Sequence, residues 1–193
     1  MDFLELTHKA RSCRRFDEAA GLPEGILDWL VECARVSPSG GNLQVLRYAI
    51  VSTKQGCDAL FPCVKWAGYL TDWAGPEIGE RPTGYVVLLE PGEKKGPYTD
   101  LDIGIVGQTI QLAATTHGIG CCMMAAFNPK DVIAALQLPA GITPRMVIAL
   151  GKEKEVRVLE PLPADGSIKY WHDGQGVHHV PKRAFDSVVL FRK

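Results

Sequence analysis

Two basic clusters lie near opposite ends of the chain. The first, Arg11-Ser12-Cys13-Arg14-Arg15, places three guanidinium groups and a hydroxyl within five residues, and the second is Pro181-Lys182-Arg183. Arginine binds phosphate through two parallel N–H bonds and keeps its charge at any physiological pH. Either cluster taken alone is more typical of a solvated basic surface than of a phosphate site. The residue types therefore leave phosphate binding and a plain basic surface both open.

A short loop before a predicted strand is dense in polar and flexible residues. Residues 37–44 read Ser-Pro-Ser-Gly-Gly-Asn-Leu-Gln, between the helical stretch 23–36 and the strand 47–52. A plain turn needs only one or two such residues. Serine and asparagine can bond a polar ligand, and glycine lets the backbone approach one closely. A helix end followed by a turn explains the composition equally well, so both interpretations stay open.

Several well-known kinds of active site are absent from the sequence. There is no Walker loop, no HExxH and no GxSxG nucleophile elbow. Gly118-Ile119-Gly120 precedes a predicted strand and lacks a third glycine, so it is not a dinucleotide fingerprint. His178 and His179 would point to opposite faces of a strand, a poor geometry for one metal. The six cysteines show no CxxC pair and no zinc spacing, so we expect buried, reduced thiols and no metal site.

Length and charge narrow the class of protein further. The chain has 193 residues, 46% of them hydrophobic, which suits one domain spanning 1–193. The net charge of −1 gives no support for a nucleic-acid or anionic-membrane partner. The first residues lack the apolar region of a secretory signal, and the longest apolar run is far short of the roughly 20 residues that span a bilayer. These features predict a cytoplasmic protein with no membrane contact.

The hydrophobic pattern predicts an α+β fold around one mixed sheet flanked by helices. Helices are expected over 2–10, 23–36 (with Pro23 at the first helical position), 54–69, 101–118 and 129–136; strands are expected over 47–52, 85–90, 121–127 and 145–151. Helix 101–118 is apolar nearly all round, broken mainly by Asp102, Gln108 and Gln111. A helix of that kind is buried on every side, which indicates a subunit interface. The polar tail 152–193 is expected to pack on a partner chain.

Taken in order along the chain, these motifs resemble those of the nitroreductase-like family of FMN flavoproteins. The shared features are two basic clusters, a Pro-Ser-x-x-Asn-x-Gln loop, a buried helix with Asp-x-Gly, a Gly-x-Gly before a strand and a strand that ends in Leu-Gly. In this chain they are ARSCRRF (10–16), PSGGNLQ (38–44), DIG (102–104), GIG (118–120), ALG (149–151) and PKR (181–183). The resemblance covers nearly the whole chain.

The resemblance implies an intertwined homodimer with FMN at the interface. Arg11, Ser12 and Arg14 would hold the phosphate and ribityl chain, with Lys182 and Arg183 completing the phosphate site. Ser39 and Asn42 would contact the flavin, and Gly120 would offer backbone near the ring system. The full set of implied cofactor-binding residues is Arg11, Ser12, Cys13, Arg14, Pro38, Ser39, Asn42, Gln44, Ile119, Gly120, Lys182 and Arg183.

Three departures from the family pattern affect these expectations. Position 10 is alanine where the family has its first arginine, so one phosphate contact is lost or is supplied by Arg15. Val45-Leu46 replaces the usual Pro-Trp, which changes the floor of the pocket and the expected range of substrates. The segment 160–179 is longer than in compact members, and shapes the pocket or braces the dimer.

The implied activity is an FMN-dependent NAD(P)H oxidoreductase. NAD(P)H would reduce the flavin, and a nitroaromatic, quinone or similar conjugated acceptor would then take the electrons in the same site, which is ping-pong kinetics. The cofactor carries the redox step, so no side chain is nominated as a catalytic acid or base. The alternatives are another task on the same fold (reductive dehalogenation or flavin breakdown), a non-catalytic flavin-binding protein, and a structural protein with an empty pocket.

Overall fold

The computed structural model describes residues 1–92 and 96–193. The six helices in the described residues are α1 Phe3–Lys9, α2 Ile26–Arg35, α3 Lys54–Leu60, α4 Thr99–Thr116, α5 Pro129–Leu136 and α6 Phe185–Val188. The eight strands there are β1 Phe16–Asp17, β2 Arg47–Val51, β3 Gly84–Pro91, β4 Ile119–Met124, β5 Ile142–Glu153, β6 Arg157–Pro161, β7 Trp171–His172 and β8 His178–Lys182. The α+β class is confirmed.

The central sheet is antiparallel, so the predicted mixed sheet is wrong. The long strand β5 pairs with β3 along one edge and with β4 along the other, while β2 pairs with the outer edge of β3 and β1 pairs with the end of β5. Helix α4 does connect two parallel strands, β3 and β4, as a helical crossover usually does. The later strand β5 lies between those two strands and runs opposite to both, a placement that the order of elements along the chain does not reveal.

Helices cover both faces of this sheet. Residues 85–89 of β3 are all buried, and their side chains alternate between the two faces. Val86 and Leu88 pack in the cluster that contains α2 and α4, whereas Tyr85, Val87 and Leu89 pack in the cluster that contains α3 and α5. The β-branched and apolar run that predicted a central strand is therefore buried on both sides.

Helix α4 separates a buried face from an exposed apolar strip. Ile103, Val106 and Ile110 are buried against α2 and the sheet. Leu101 keeps 66% of its surface exposed and Ile105 keeps 40%. The prediction of burial on every side is therefore wrong for the single chain, because its neighbours cover only one side of the helix.

Several helices and strands begin or end at residues other than those predicted from sequence, because local backbone conformation sets their boundaries. Helix α2 begins at Ile26 and not at Pro23, because Gly25 adopts a left-handed conformation with φ of 74° and serves as the N-cap. Helix α3 ends at Leu60 and passes into a short 3₁₀ turn, Phe61–Cys63, which contains Pro62. Strand β4 begins at Ile119 and ends at Met124, earlier than predicted at both ends.

The C-terminal region folds back onto its own chain. Strands β6 and β8 pair in parallel and β7 pairs with β8 in antiparallel fashion, which makes a second, three-stranded sheet. The Arg157 guanidinium donates to the Arg11 carbonyl oxygen at 2.7 Å, which ties this sheet to the first basic cluster. The last residues, 185–193, are largely exposed. None of the helices in the described ranges is long and apolar enough to cross a membrane.

Candidate functional site

A cleft of about 270 Å³ gathers residues from both basic clusters. It lies between the segment after α1, helix α4 and strand β8. Its lining residues are Ala10, Arg11, Ser12, Arg14, Gln108, Gln111, Tyr170, His178, Val180 and Lys182. Four residues proposed from sequence to bind the cofactor therefore share one cleft, although about 170 positions separate Arg11 from Lys182. We call this the basic cleft.

The first basic cluster is fixed by backbone bonds to the sheet. The Cys13 N–H donates to the Cys121 carbonyl oxygen at 2.9 Å, and Ser12 forms a parallel bridge with Cys121. One Arg11 terminal nitrogen donates to the Thr7 carbonyl oxygen at 2.6 Å, while the Arg11 Nε is buried without a hydrogen-bond partner in the described structure. Burial, together with the charge of Arg157, lowers the pKa of Arg11. An anion in the cleft would relieve this crowding of positive charge.

Arg14 is the most enclosed cation of the cleft, with only 8% of its surface exposed. Its backbone N–H donates to Glu155 Oε2 at 2.8 Å, and one terminal nitrogen lies 3.1 Å from His178 Nε2. Its guanidinium carbon lies 4.6 Å from the centre of the Tyr170 ring. The C-terminal sheet and the loop before it thus hold this side chain from behind.

Two neighbouring residues of the same motifs face elsewhere. Arg15, the proposed substitute for the missing arginine at position 10, forms an ion pair with Glu80 at 3.0 Å and does not line the basic cleft. Arg183 follows β8 and, unlike Lys182, does not line the basic cleft. The structure therefore brings Lys182, and not Arg183, next to Arg11 and Arg14.

Cys13, Ile119 and Gly120 are part of the packed interior. A Cβ on Gly120 would lie 2.6 Å from Cys13 Sγ and 3.2 Å from the Phe16 ring, so only glycine fits there. Burial raises the pKa of the Cys13 thiol to about 12, so the thiol is not an accessible nucleophile. In the single chain these residues support the basic cluster from inside.

The Ser-Pro-Ser-Gly-Gly-Asn-Leu-Gln loop lines a second cleft of about 380 Å³. Its lining includes Pro38, Ser39, Gln44, Val45, Arg47, Tyr48 and Asp102. Asn42 and Gln44 both adopt left-handed conformations, with φ of 55° and 47°, and Asn42 is exposed. The Ser39 hydroxyl oxygen accepts from the Gln44 N–H at 3.1 Å, which closes the loop on itself. We call this the loop cleft.

Asp102 anchors the loop to α4. Its Oδ1 accepts from the Gly40 N–H at 2.8 Å, and the side chain is almost fully buried. Gly40 also packs on the Tyr98 side chain so closely that a Cβ could not fit. The Asp-x-Gly motif of α4 therefore has a structural role that the sequence did not reveal, which is to fix the conformation of the polar loop.

We expect Asp102→Ala to free the Gly40 amide. A hydrogen bond to a charged group contributes about 1.5–3 kcal/mol, so exchange of that amide hydrogen should become at least about tenfold faster. Amide hydrogen exchange measured by NMR provides the test. Asp102→Asn keeps an acceptor oxygen and should retain most of the protection; an unchanged exchange rate in the alanine variant would show that Asp102 does not hold the loop.

The two clefts lie on opposite sides of α4 in one chain. Asp102 lines the loop cleft and Gln111 lines the basic cleft. These residues are nine positions apart, which at 3.6 residues per turn places them on opposite faces, roughly 14 Å apart along the axis. Helix α4 therefore lies between the two clefts within one chain.

Sequence reasoning missed the residues that complete the basic cleft. Gln108 and Gln111 were noted only as interruptions of an apolar helix, a signal that pointed to this site. Tyr170 and His178 come from the region expected to pack on a partner. Their positions in the sequence do not relate them to Arg14. They reach the basic cleft only because the C-terminal sheet folds back beside it.

The histidine pair does point in two directions, as strand alternation predicts. His179 contacts Glu160 at 3.0 Å and Asp173 at 3.4 Å, whereas His178 faces Arg14. His178, His172 and Glu155 place their potential ligand atoms within 4.8 Å of one another. The Arg14 guanidinium beside His178 disfavours a second cation there, so these groups are better explained as the support of Arg14.

A larger cleft of about 680 Å³ lies elsewhere, lined by residues such as Leu22, Lys54, Phe61, Arg81 and Tyr85. None of the residues proposed from sequence to bind the cofactor lines it. Its size exceeds that of the basic cleft, but only the smaller of these two clefts brings together residues of both basic clusters, which makes it the candidate site.

Comparisons with known proteins agree with this architecture. The model of the Nitroreductase family matches residues 8–152. A nitroreductase family protein from Clostridium difficile 630 is 23% identical, with a TM-score of 0.64 over 81% of this chain and 87% of its own. An FMN-dependent nitroreductase from Clostridium difficile R20291 is 20% identical, with a TM-score of 0.66 over 89% of this chain and 99% of its own.

A third solved structure carries the provisional name NADH dehydrogenase/NAD(P)H nitroreductase. This protein, from Parabacteroides distasonis, is 19% identical, with a TM-score of 0.65 over 89% of this chain and 96% of its own. No relative was found among curated protein sequences. At these identities the structural likenesses establish the fold, and the match over residues 8–152 establishes the lineage: this chain belongs to the nitroreductase family.

Proposed function

We propose that this protein is an FMN-dependent NAD(P)H oxidoreductase that reduces nitroaromatics, quinones or similar conjugated acceptors by ping-pong kinetics. The observation that carries the proposal is the basic cleft, where Arg11, Ser12 and Arg14 meet Lys182. Family membership and the FMN-dependent neighbour of the same fold support the choice of cofactor.

The residues of the basic cleft fit the phosphate of FMN. A phosphate monoester carries nearly two negative charges and three strong acceptor oxygens. The cleft offers two guanidiniums, one ammonium and the Ser12 hydroxyl, and a buried Arg11 Nε that has no partner in the described residues. These three cations and the hydroxyl supply the opposite charge and the hydrogen-bond donors that a phosphate dianion needs.

We further propose that two copies of the chain share each FMN. The loop cleft and the basic cleft face opposite sides of α4, so the loop cleft of one copy would complete the basic cleft of the other. An exposed apolar surface supports such a contact: Phe3, Leu4, Leu101 and Ile105 extend over α1 and α4, which pack on each other. A monomer in sedimentation equilibrium of the FMN-loaded protein would contradict this arrangement.

In this proposal the chain supplies binding and orientation. Arg11, Arg14 and Lys182 would neutralise the phosphate, and Gln108 and Gln111 offer both donors and acceptors beside it. When bound, FMN supplies hydride transfer from NAD(P)H and electron delivery to the conjugated acceptor. The loop held by Asp102 would wall the site against water. We assign no side chain as a proton donor or base.

The visible absorption spectrum of the purified protein, before and after anaerobic addition of NADH or NADPH, tests the function. Oxidised-flavin bands that bleach on addition are expected. Bands that persist with either nucleotide would instead indicate a flavin-binding protein without this reductase activity. A colourless protein that takes up no added FMN would overturn the proposal.

We also place the protein in the cytoplasm. All six cysteines are free thiols in the structure, and four of them are buried, which suits a reducing compartment. Recovery of the protein outside the cytoplasmic fraction of its own cells would contradict this assignment.

A further inference from the structure

Arg14 can bind a phosphate only if its flexible side chain is held in place. A free arginine side chain loses about 2 kcal/mol of rotamer entropy when it is held in one conformation. A ligand that must itself order the side chain therefore binds more weakly. In this structure the guanidinium carbon lies 4.6 Å from the centre of the Tyr170 ring, and one terminal nitrogen lies 3.1 Å from His178 Nε2. The side chain is therefore ordered before any ligand arrives.

The contact with His178 fixes the proton position of that ring. A guanidinium has only N–H donors, so His178 Nε2 accepts and the ring proton resides on Nδ1. Burial, together with the charges of Arg14, His172, Arg157 and His179, lowers the pKa of His178 to about 3. The ring is therefore neutral at every physiological pH and can accept from Arg14 throughout that range.

The surroundings of His178 hold the ring itself. Its backbone N–H donates to the Val156 carbonyl oxygen at 2.8 Å, and the residue is 1% exposed. Its ring centre lies 5.2 Å from that of Tyr170 and 4.9 Å from that of His172. Glu155 accepts from the Arg14 backbone N–H and contacts His172, so it joins the same support.

We propose that His178 is a positioning residue for Arg14. It accepts one guanidinium N–H, so that the remaining N–H groups of Arg14 are presented to the phosphate of bound FMN. This inference rests on the proposed function, because it assumes that Arg14 binds that phosphate. It assigns a role to a histidine that lies 164 positions from Arg14 in the sequence.

Dissociation constants for FMN and for riboflavin, which lacks the phosphate, test the role. We expect His178→Leu to weaken FMN binding about tenfold, because Arg14 loses its acceptor, and to leave riboflavin binding within about twofold. His178→Gln keeps an acceptor oxygen and should restore most of the FMN affinity. His179→Leu removes the adjacent histidine on the other face and should change neither constant.

The possible outcomes separate the inference from the proposed function. Wild-type protein that binds no FMN, or an Arg14→Ala variant that binds it normally, would overturn the function itself. If Arg14→Ala weakens FMN binding but His178→Leu does not, the positioning role alone is wrong. Equal losses of FMN and riboflavin in His178→Leu, with no recovery in His178→Gln, would reveal general damage to the fold and also reject the role.

One measurement needs no variant and remains decisive if the substituted proteins do not fold. Long-range ¹H–¹⁵N NMR spectra of the wild-type protein report which nitrogen of each histidine carries the proton. We expect His178 to show a neutral ring with the proton on Nδ1 from pH 8 down to about pH 5. A proton on Nε2, or a charged ring in that range, would overturn the proposal.

Discussion

Replacing Arg14 by alanine is expected to weaken FMN binding by about 10- to 100-fold. Under the proposed function, the substitution would remove a charge-assisted contact with the phosphate, worth about 1.5–3 kcal/mol, from the most enclosed cation of the basic cleft. Riboflavin should bind with nearly unchanged affinity, since it has no phosphate. Fluorescence titration of the apoprotein with each flavin measures both constants.

Arg15 provides a matched control one position along the chain. Its guanidinium pairs with Glu80 and does not line the basic cleft. Arg15→Ala removes the same net charge, so it should leave FMN affinity within about twofold if local geometry decides binding. Comparable losses of FMN affinity in both variants would show that the overall electrostatic field of the protein, and not the basic cleft, attracts the cofactor. No loss of FMN affinity in either variant would contradict the assignment of Arg14 to the phosphate.

Arg145→Met is expected to lower the free energy of unfolding by about 3 kcal/mol, the largest loss of stability among the substitutions considered. Arg145 pairs with Glu90, a carboxylate that is 4% exposed on β3 and that also accepts from the Thr99 hydroxyl at 2.7 Å and the Gly96 N–H at 2.9 Å. Removing the guanidinium leaves a buried carboxylate without its cation. Chemical denaturation of the two proteins at pH 7 gives the difference in free energy of unfolding.

The pH dependence of this effect has a definite sign. Burial opposes ionisation of Glu90, but its bonds to Thr99, Gly96 and Arg145 outweigh that cost and hold its pKa below the ordinary value of 4.5. The ion pair therefore contributes stability above pH 4.5, and this contribution is lost as the pH falls through the folded-state pKa. The difference between wild type and Arg145→Met should shrink in acid.

Two further variants distinguish the ion pair from simple loss of packing. Glu90→Gln combined with Arg145→Met removes the buried charge together with its partner, and should recover more than about 1 kcal/mol relative to Arg145→Met alone. Arg35→Met breaks the exposed pair with Glu32 and should leave stability without measurable change. A double variant no better than the single one would assign the loss to packing.

The glutamate matters to the candidate site through α4. Thr99 is the first residue of that helix, and Asp102 in its first turn holds the polar loop. Arg145 on β5 and Glu90 on β3 therefore fix the start of the helix that separates the two clefts. Stability and site geometry are connected here by direct contacts.

Local sequence signals predicted most of the elements, because hydrophobic periodicity is a local property. The run Tyr85–Leu89 indicated a buried strand, and helix 101–118 was correct to within two residues at each end. The antiparallel order of the sheet could not be predicted this way. It depends on β5 lying between β3 and β4, a choice made by the packing of both faces together.

The chemistry of the candidate site was legible from residue types, but its geometry was not. The sequence pointed to Arg11, Ser12, Arg14 and Lys182, because cations and hydroxyls bind phosphate. The resemblance to the family implied the same residues, and it implied Arg183 and Gly120 as well. Three placements follow only from the tertiary structure. Arg15 pairs with Glu80, Gly120 is buried against Cys13, and Lys182 lines the basic cleft.

The sequence by itself determined the α+β class of this protein, its two basic clusters, its polar loop and its membership of the nitroreductase family. The tertiary structure alone decided that α4 separates the loop cleft from the basic cleft, and that His178 faces Arg14. The physical reason is the range of the interactions. Periodicity and residue chemistry act over a few neighbouring positions, whereas a hydrogen bond between residues 164 positions apart exists only after the sheets have packed.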